Sequence, residues 1–234
     1  MFYKWPIFLV SVGLFAAGEQ QPWKDKTVPE WTQEDAQQLL NASPWVRSVT
    51  PAIDRSAQNQ PRRSPVTFGG IPGLGGGRRG GYGYPGGGYP GGRPNTQDTY
   101  SEPPKLALRW ESALPVREAE LKARDNDAPT LDPDHYAIAV YGVPARFANG
   151  DSKTLADQFK KQAAIKRDGK KDLKPSSVEV LQRDNGPVIV YLFPRTKEIT
   201  SEDRRIEFDA KIGRLDLSES FYTEDMFYQN KLEL

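Results

Sequence analysis

The residues best suited to chemistry in this sequence lie between positions 125 and 135. Four aspartates and the single histidine of the chain stand here: Asp125, Asp127, Asp132, Asp134 and His135. Carboxylates in a loop are the usual ligands of Ca²⁺, and His135 beside Asp134 could form a catalytic pair. Pro129 interrupts the spacing of an EF-hand, and no G-x-S-x-G motif supplies a nucleophile. We therefore predict a solvated loop without metal, cofactor or catalytic residues, and keep an enzyme that uses Asp132, Asp134 and His135 as the alternative.

A basic stretch follows between residues 153 and 174, which carry eight Lys and Arg side chains against three Asp side chains. Residues 198–234 carry five basic and ten acidic side chains. The candidate anion-binding face comprises Lys160, Lys161, Lys166, Arg167, Lys170 and Lys171. This face could meet an anionic lipid, an anionic polymer or the acidic C-terminal strands of a neighbour. The plainer alternative is a solvated helix face.

The glycine-rich tract from Gly69 to Gly92 divides the chain. Ordering so many glycines costs too much backbone entropy for a packed core, so residues 50–104 are predicted to be a disordered linker. Arg78, Arg79 and three tyrosines in the tract resemble a site that contacts phosphates and stacks on bases. Two arginines are few for that purpose, and the tract also lacks the G-K-[ST] ending of a P-loop. Nucleic-acid binding is therefore only a remote alternative to a flexible spacer.

The composition excludes several classes of functional site. The 234 residues carry a formal net charge of +1 and contain no cysteine. Disulfide frameworks, thiolate nucleophiles and cysteine-ligated metals are therefore excluded. A single histidine also excludes a multi-histidine metal site within one chain.

The first residues have the pattern of a secretory signal. Lys4 supplies a positive charge, an apolar run of 13 residues follows, and Ala16-Ala17-Gly18 fits a cleavage site before Glu19. A membrane-spanning helix needs about 20 apolar residues, so a removed signal is preferred to an uncleaved anchor. We predict a signal peptide over residues 1–18, a mature chain without a membrane span, and a periplasmic or extracellular location. The enzyme alternative would then act in the periplasm.

Residues 19–49 form a Trp-rich segment with one predicted helix. Thr32 and Asp35 have the spacing of a capping box, and a helix of about ten residues is marginal in water unless it packs on something. The candidate docking residues are Trp23, Trp31, Leu39, Leu40 and Trp45. They could dock on the C-terminal part of the same chain, which we favour, or on a partner protein.

Residues 105–234 have the pattern of one α+β domain. Alternating apolar residues predict about six strands in a mostly antiparallel sheet. Two helices are also predicted, the first with Pro115 in its first turn. The second begins at Asp151 or Ser152 and continues through Phe159 and Ala163 to Gly169.

Five blocks of the sequence resemble a group of exported, uncharacterised bacterial proteins. The blocks read PWKDKTVPEWTQEDAQQLLNASPW, LRWESALPVREA, VIVYLFPRTKEIT, FDAKIGRLDLSESFYTEDM and YQNKLEL. The first block contains the pattern W-[ST]-x-x-D-A-x-x-[IL]-L-x-x-S-P-W of that group, and the last shares its K-L-E-L ending. The resemblance covers both parts of the chain but not the glycine-rich middle. It implies export and a two-part layout, and it implies no activity and no catalytic residues.

These features together predict an exported, non-enzymatic binding or scaffolding protein of the bacterial cell envelope. Its partner is expected to be a protein or an envelope polymer rather than a nucleic acid.

Overall fold

A computed structural model of the chain describes residues 21, 23–54, 103–196 and 198–234. The predicted signal peptide and most of the predicted linker, including the glycine-rich tract, lie outside the described residues. The α-helices of the described part are α1 (Gln33–Asn41), α2 (Leu114–Ala123) and α3 (Ser152–Lys161).

Five strands form the first sheet, and every neighbouring pair in it is antiparallel. In spatial order these strands are β1 (Val46–Val49), β3 (Leu106–Trp110), β4 (His135–Tyr141), β7 (Val188–Pro194) and β6 (Ser177–Leu181). The strand β6 therefore lies at one edge of this sheet.

Four strands form the second sheet, which is also antiparallel throughout. In spatial order they are β2 (Ala52–Ile53), β9 (Leu215–Tyr222), β8 (Arg205–Ile212) and β5 (Ala163–Arg167). A short hairpin of β10 (Phe227–Tyr228) and β11 (Lys231–Leu232) follows.

The two sheets pack face to face around one apolar core. The ring centroids of Tyr191 on β7 and Phe208 on β8 are 5.2 Å apart, and those of Trp110 on β3 and Phe221 on β9 are 5.3 Å apart. All four side chains are buried, and both ring pairs meet edge to face, which is a favourable aromatic geometry. Because each large apolar side chain contributes about 1.5–3 kcal/mol on full burial, these rings hold the layers together.

The local sequence explains how the longest hairpin forms. Alternate residues of β8 are buried, as the period of two along a strand requires. Gly213 and Arg214 then connect β8 to β9, with Ile212 paired to Leu215. Gly213 has a φ of 60°, and a Cβ there would lie 2.8 Å from the backbone oxygen of Phe147, so this turn requires glycine.

The segment before the linker belongs to both sheets. β1 pairs with β3 in the first sheet, and β2 pairs with β9 in the second. The helix α1, which carries the predicted capping box between Thr32 and Asp35, packs against α2. Ala52–Ile53 lie within the range assigned to the linker, so the structured segment extends further than predicted.

The α+β class and the antiparallel pairing predicted from the sequence are confirmed. The number of strands differs, because residues 105–234 contribute nine strands to two sheets and a hairpin instead of about six to one sheet. The three unpredicted strands are β5, β10 and β11. Two of them contain only two residues each and carry no readable alternation.

The predicted end of the second helix was wrong. Asp151 does cap α3, since its carboxylate accepts a hydrogen bond from the Thr154 amide at 2.9 Å. The helix ends at Lys161 instead of reaching Gly169, and Ala163 already belongs to β5. Ala163 pairs with Ala210 of β8, so a partner strand distant in sequence overrides the spacing of apolar residues along the helix.

Candidate functional site

The six basic residues of the predicted anion-binding face do not share a helix face. In chain order they are Lys160 and Lys161 at the end of α3, Lys166 and Arg167 on β5, and Lys170 and Lys171 in the following loop. The helix predicted to reach Gly169 would have carried Lys166 and Arg167, but the chain leaves the helix after Lys161.

Acidic residues of the same chain pair with half of this basic set. Lys166 contacts Asp209 on β8. Asp203 lies 3.7 Å from Arg167 Nη1 and 2.7 Å from Lys170 Nζ. Burial alone would raise the pKa of Asp203, but the hydrogen bonds from Lys170 and the Thr200 amide, together with the positive charges of Arg167 and Lys170, outweigh burial and lower it. The charge separation seen in the sequence is therefore partly neutralised within the fold.

Asp132 and Asp134 lie in an exposed turn before β4, and the half-buried His135 is the first residue of that strand. His135 Nδ1 lies 3.3 Å from a carboxylate oxygen of Asp132, whose side chain is 51% exposed. The Asp134 amide donates to the other Asp132 oxygen at 2.9 Å, and Asp134 itself is exposed. Local contacts within one turn account for this arrangement, and none of the three residues lines the grooves described below.

The predicted docking residues lie in the core of the chain's own fold. The buried set is Trp23, Trp31, Leu39, Leu40 and Trp45. The indole Nε1 of Trp45 donates to the backbone oxygen of Glu233 at 2.8 Å. The ring of Trp31 meets that of Tyr228 with centroids 5.7 Å apart. In this structure the segment therefore packs on the C-terminal part of the same chain, and its tryptophans present no free surface.

The first open groove, here called the α2 groove, lies between α2 and the C-terminal residues. It has a volume of about 580 Å³. One wall is a helix face with the spacing i, i+3, i+4, i+7, formed by Leu114, Arg117, Glu118 and Leu121. The other wall includes Tyr136, Arg195 and Leu232. Leu114 is 43% exposed and Leu121 is 75% exposed, so the groove offers uncovered apolar surface.

The far wall of the α2 groove is held in place by Arg195. Its guanidinium carbon lies 4.3 Å from the centroid of the Tyr136 ring, and its Nη2 donates to the backbone oxygen of Leu234 at 2.7 Å. A guanidinium that stacks on a ring and binds a backbone oxygen loses little freedom when a ligand arrives.

A second groove, here called the α3–β6 groove, has a volume of about 410 Å³. It lies between α3 and the edge strand β6, and Lys160 from the predicted basic set lines it.

Sequence reasoning missed a buried charged cluster beside β3. The Nη1 atom of Arg109 lies 3.0 Å from Asp125 Oδ2, 3.3 Å from Glu120 Oε1 and 3.8 Å from Glu111 Oε1. Glu111 is fully buried and also accepts a hydrogen bond of 2.6 Å from the Tyr141 hydroxyl. The arginine stacks on the ring of Tyr141, with 4.4 Å between its guanidinium carbon and the ring centroid. Three carboxyl groups thus share one cation.

The excess of carboxyl groups sets the protonation of this cluster. Burial raises the pKa of Glu111, and burial together with its hydrogen bond to Glu111 raises the pKa of Glu120 to about 10. At neutral pH a protonated Glu120 therefore donates to the Glu111 carboxylate, which leaves Arg109 to balance Glu111 and Asp125. The residues of this cluster line neither groove, so we assign the cluster a structural role.

The sequence does place Arg109 and Glu111 on one face of a strand, where alternating charges usually indicate solvent. In the structure that face is covered. Asp125, which follows α2, bonds to Arg109, and Leu131 packs on the small apolar cluster on the same side of the sheet. Because a connecting segment covers this face, the residues of the strand alone do not indicate that it is buried.

We predict that Glu120→Gln flattens the dependence of stability on pH. Glu120 holds its proton to a higher pH in the folded state than in the unfolded chain. The stability from that proton is fully present below about pH 4.3 and is lost as the pH rises through the folded pKa of about 10. Glutamine stays neutral and can donate to Glu111. The free energy of unfolding of the variant should therefore rise relative to that of the wild type by up to about 1.4 kcal/mol for each pH unit in this window.

Urea unfolding between pH 5 and pH 9 measures this difference. Glu118→Gln, on the groove side of the same helix, is the matched control and should follow the wild-type profile. Parallel profiles for Glu120→Gln and the wild type would contradict the shared proton.

Within the described ranges, no three His, Asp or Glu side chains are arranged to hold a metal ion. None of the helices in this part of the chain has the length and apolarity that a bilayer span requires. Comparison with protein-family models, curated proteins and solved structures finds no match.

Proposed function

We propose that this chain is an exported, non-enzymatic binding protein of the bacterial cell envelope that holds a protein partner in the α2 groove. The observation that carries the proposal is the pair of exposed leucines on one face of α2. Among the described residues, three large apolar side chains are exposed: Leu114, Leu121 and Tyr222. Two of these three line the same groove. Clustered exposed apolar side chains mark interaction sites more often than scattered ones do.

Charged groups at the groove favour a protein partner over a uniformly charged polymer. Arg117, Arg195 and Lys231 stand among the lining residues with Glu118 and Glu198. Mixed charges around apolar contacts are typical of the rim of a protein interface, where they orient the partner. A strongly anionic polymer would instead favour a groove of one charge sign.

The rest of the structure supports a binding function. The most strongly perturbed carboxyl groups, Glu111 and Glu120, are buried and lie outside the lining of the α2 groove. Asp132 and His135 lie outside it as well. Export rests on the N-terminal sequence, with its apolar run and Ala16-Ala17-Gly18.

The binding test is cross-linked pull-down from a bacterial envelope fraction, followed by identification of the captured protein. Leu121→Glu should reduce recovery of that partner about tenfold or more, because it places a charge on the exposed apolar face. Tyr222→Glu is the matched control, since it also charges an exposed apolar side chain but lies outside the groove. Equal recovery with Leu121→Glu and the wild type would exclude the α2 groove. If the pull-down recovers no protein but the chain binds purified peptidoglycan, a polymer ligand would be favoured.

Export is tested separately by N-terminal sequencing of the protein recovered from cells. The expected first residue is Glu19. An intact Met1 on protein in the soluble cytoplasm would contradict export.

A further inference from the structure

The helix α2 has one face that packs on the chain's own fold and one face that does not. Val116 and Ala119 are fully buried, and the helix packs against α1. The opposite face is the helix wall of the α2 groove, which comprises Leu114, Arg117, Glu118 and Leu121. Both leucines remain exposed, so the described part of the chain leaves this face largely uncovered.

The order of side chains on this face is symmetric. Leu114 stands three positions before Arg117, and Leu121 stands three positions after Glu118. If two copies of α2 pack antiparallel about a two-fold axis between Arg117 and Glu118, Leu114 of each copy meets Leu121 of the other. The same axis places Arg117 of each copy opposite Glu118 of the other. The face is therefore complementary to itself in its apolar contacts and in its charges, as a two-fold interface requires.

The charges on this face are available for a partner. Among the described residues, neither Arg117 nor Glu118 forms an ion pair. The two-fold axis would create two Arg–Glu pairs between the copies. A shift of the helices by one turn would instead place leucines opposite charged side chains. The pattern therefore selects one register, in which like groups and opposite charges both match.

We propose that the partner in the α2 groove is a second copy of this chain, whose α2 packs antiparallel against the first. This inference rests on the proposed function, because it names the protein that the groove holds. An unrelated helix would need leucines and charges in the same mirrored order, which the chain's own α2 already has. The formal net charge of +1 adds almost no repulsion between two copies.

The far wall of each groove completes the interface. A helix of ten residues is only about 15 Å long, so two such helices bury less than the roughly 1,200–2,000 Å² of a standard interface. Each copy adds the half-buried Leu232 and the exposed Glu198 and Lys231, which line the same groove. The two-fold axis brings both far walls into contact, since each copy inserts its α2 into the groove of the other.

Sedimentation velocity of the purified protein between about 1 and 200 µM measures this association, and the wild type should form dimers as the concentration rises. Arg117→Glu changes both ion pairs of the dimer from attraction to repulsion and should weaken the dimer about tenfold or more. Glu118→Arg should have the same effect for the same reason. Lys122→Glu is the matched control, because it reverses an exposed charge on the same helix outside the groove.

An equimolar mixture of Arg117→Glu and Glu118→Arg tests the two-fold axis itself. In a mixed pair the introduced carboxylate faces the introduced guanidinium, and the native Glu118 of one copy faces the native Arg117 of the other. The mixture should therefore dimerise about as tightly as the wild type, although neither variant does so alone. This result would also show that both variants are folded.

Three outcomes would overturn the inference: a wild type that stays monomeric over the whole range, single variants that dimerise like the wild type, or a mixture that stays monomeric. The pull-down with Leu121→Glu separates this inference from the proposed function. If the wild type is monomeric but recovery of another protein still depends on Leu121, the groove holds a different partner and only the present inference fails. If neither measurement depends on the lining of the groove, both proposals fail.

Discussion

Replacement of Arg109 by methionine is expected to lower the free energy of unfolding by about 3–5 kcal/mol. The change keeps most of the side-chain volume but removes the one cation among Glu111, Glu120 and Asp125. Glu111 is fully buried, so its charge would lose the partner that offsets its desolvation. Burial would lower the pKa of Arg109, yet the Glu111 carboxylate and the neighbouring acids raise it, which shows how strongly the cluster favours this charge.

Urea unfolding of Arg109→Met at several pH values measures this loss. It should grow as the pH rises, because the carboxyl groups can bind protons only at lower pH. The double variant Arg109→Met with Glu111→Gln should recover part of the stability, since the unpaired buried charge is then absent. Arg205→Met is the control for the loss of an exposed arginine, whose ion pair with Glu207 should contribute no more than about 1 kcal/mol. A loss of similar size in Arg109→Met and Arg205→Met would contradict the cluster.

Replacement of Trp45 by alanine is expected to cost about 3–5 kcal/mol, the usual range for an aromatic residue in a core. Trp45 is fully buried, its ring lies edge-on to Trp23 at 5.4 Å, and its Nε1 binds the backbone oxygen of Glu233. Its own backbone oxygen accepts a hydrogen bond of 2.8 Å from the Trp110 amide. The side chain therefore links the segment before β1 to the C-terminal residues, 188 positions away in the sequence.

Limited proteolysis and chemical denaturation together test this prediction. In the variant, residues 23–54 should become accessible to protease before the rest of the domain is cut. Trp45→Phe is the matched control, because it keeps an aromatic ring but loses the indole hydrogen bond, and it should cost less than the alanine variant. If Trp45→Ala leaves cleavage within residues 23–54 at the wild-type rate, the tryptophan does not hold the segment on the sheets.

Much of the fold follows from local patterns in the sequence. Alternation along Ile206, Phe208, Ala210 and Ile212 predicts β8, and the following Gly213 predicts the turn to β9. The capping box at Thr32 predicts the start of α1. These features are readable because they depend on residues within a few positions of one another.

Other features depend on neighbours far away in the sequence. Ala163 continues an apolar helix spacing from Leu155 and Phe159, yet it becomes a strand residue because Ala210 is available to pair with it. Two sheets form in place of one because β8 pairs with β5 and β9 and with no strand of the first sheet. Pairing partners of this kind cannot be read from the strand alone.

The candidate sites divide in the same way. The sequence by itself determined which residues are charged, which strands alternate and that no cysteine chemistry is available. Only the tertiary structure decided that Arg109 and Glu111 are buried, that Asp203 faces Lys170, and that Leu121 remains exposed beside a groove. The physical reason is that burial and charge compensation depend on what covers a face, and the covering segment comes from elsewhere in the chain.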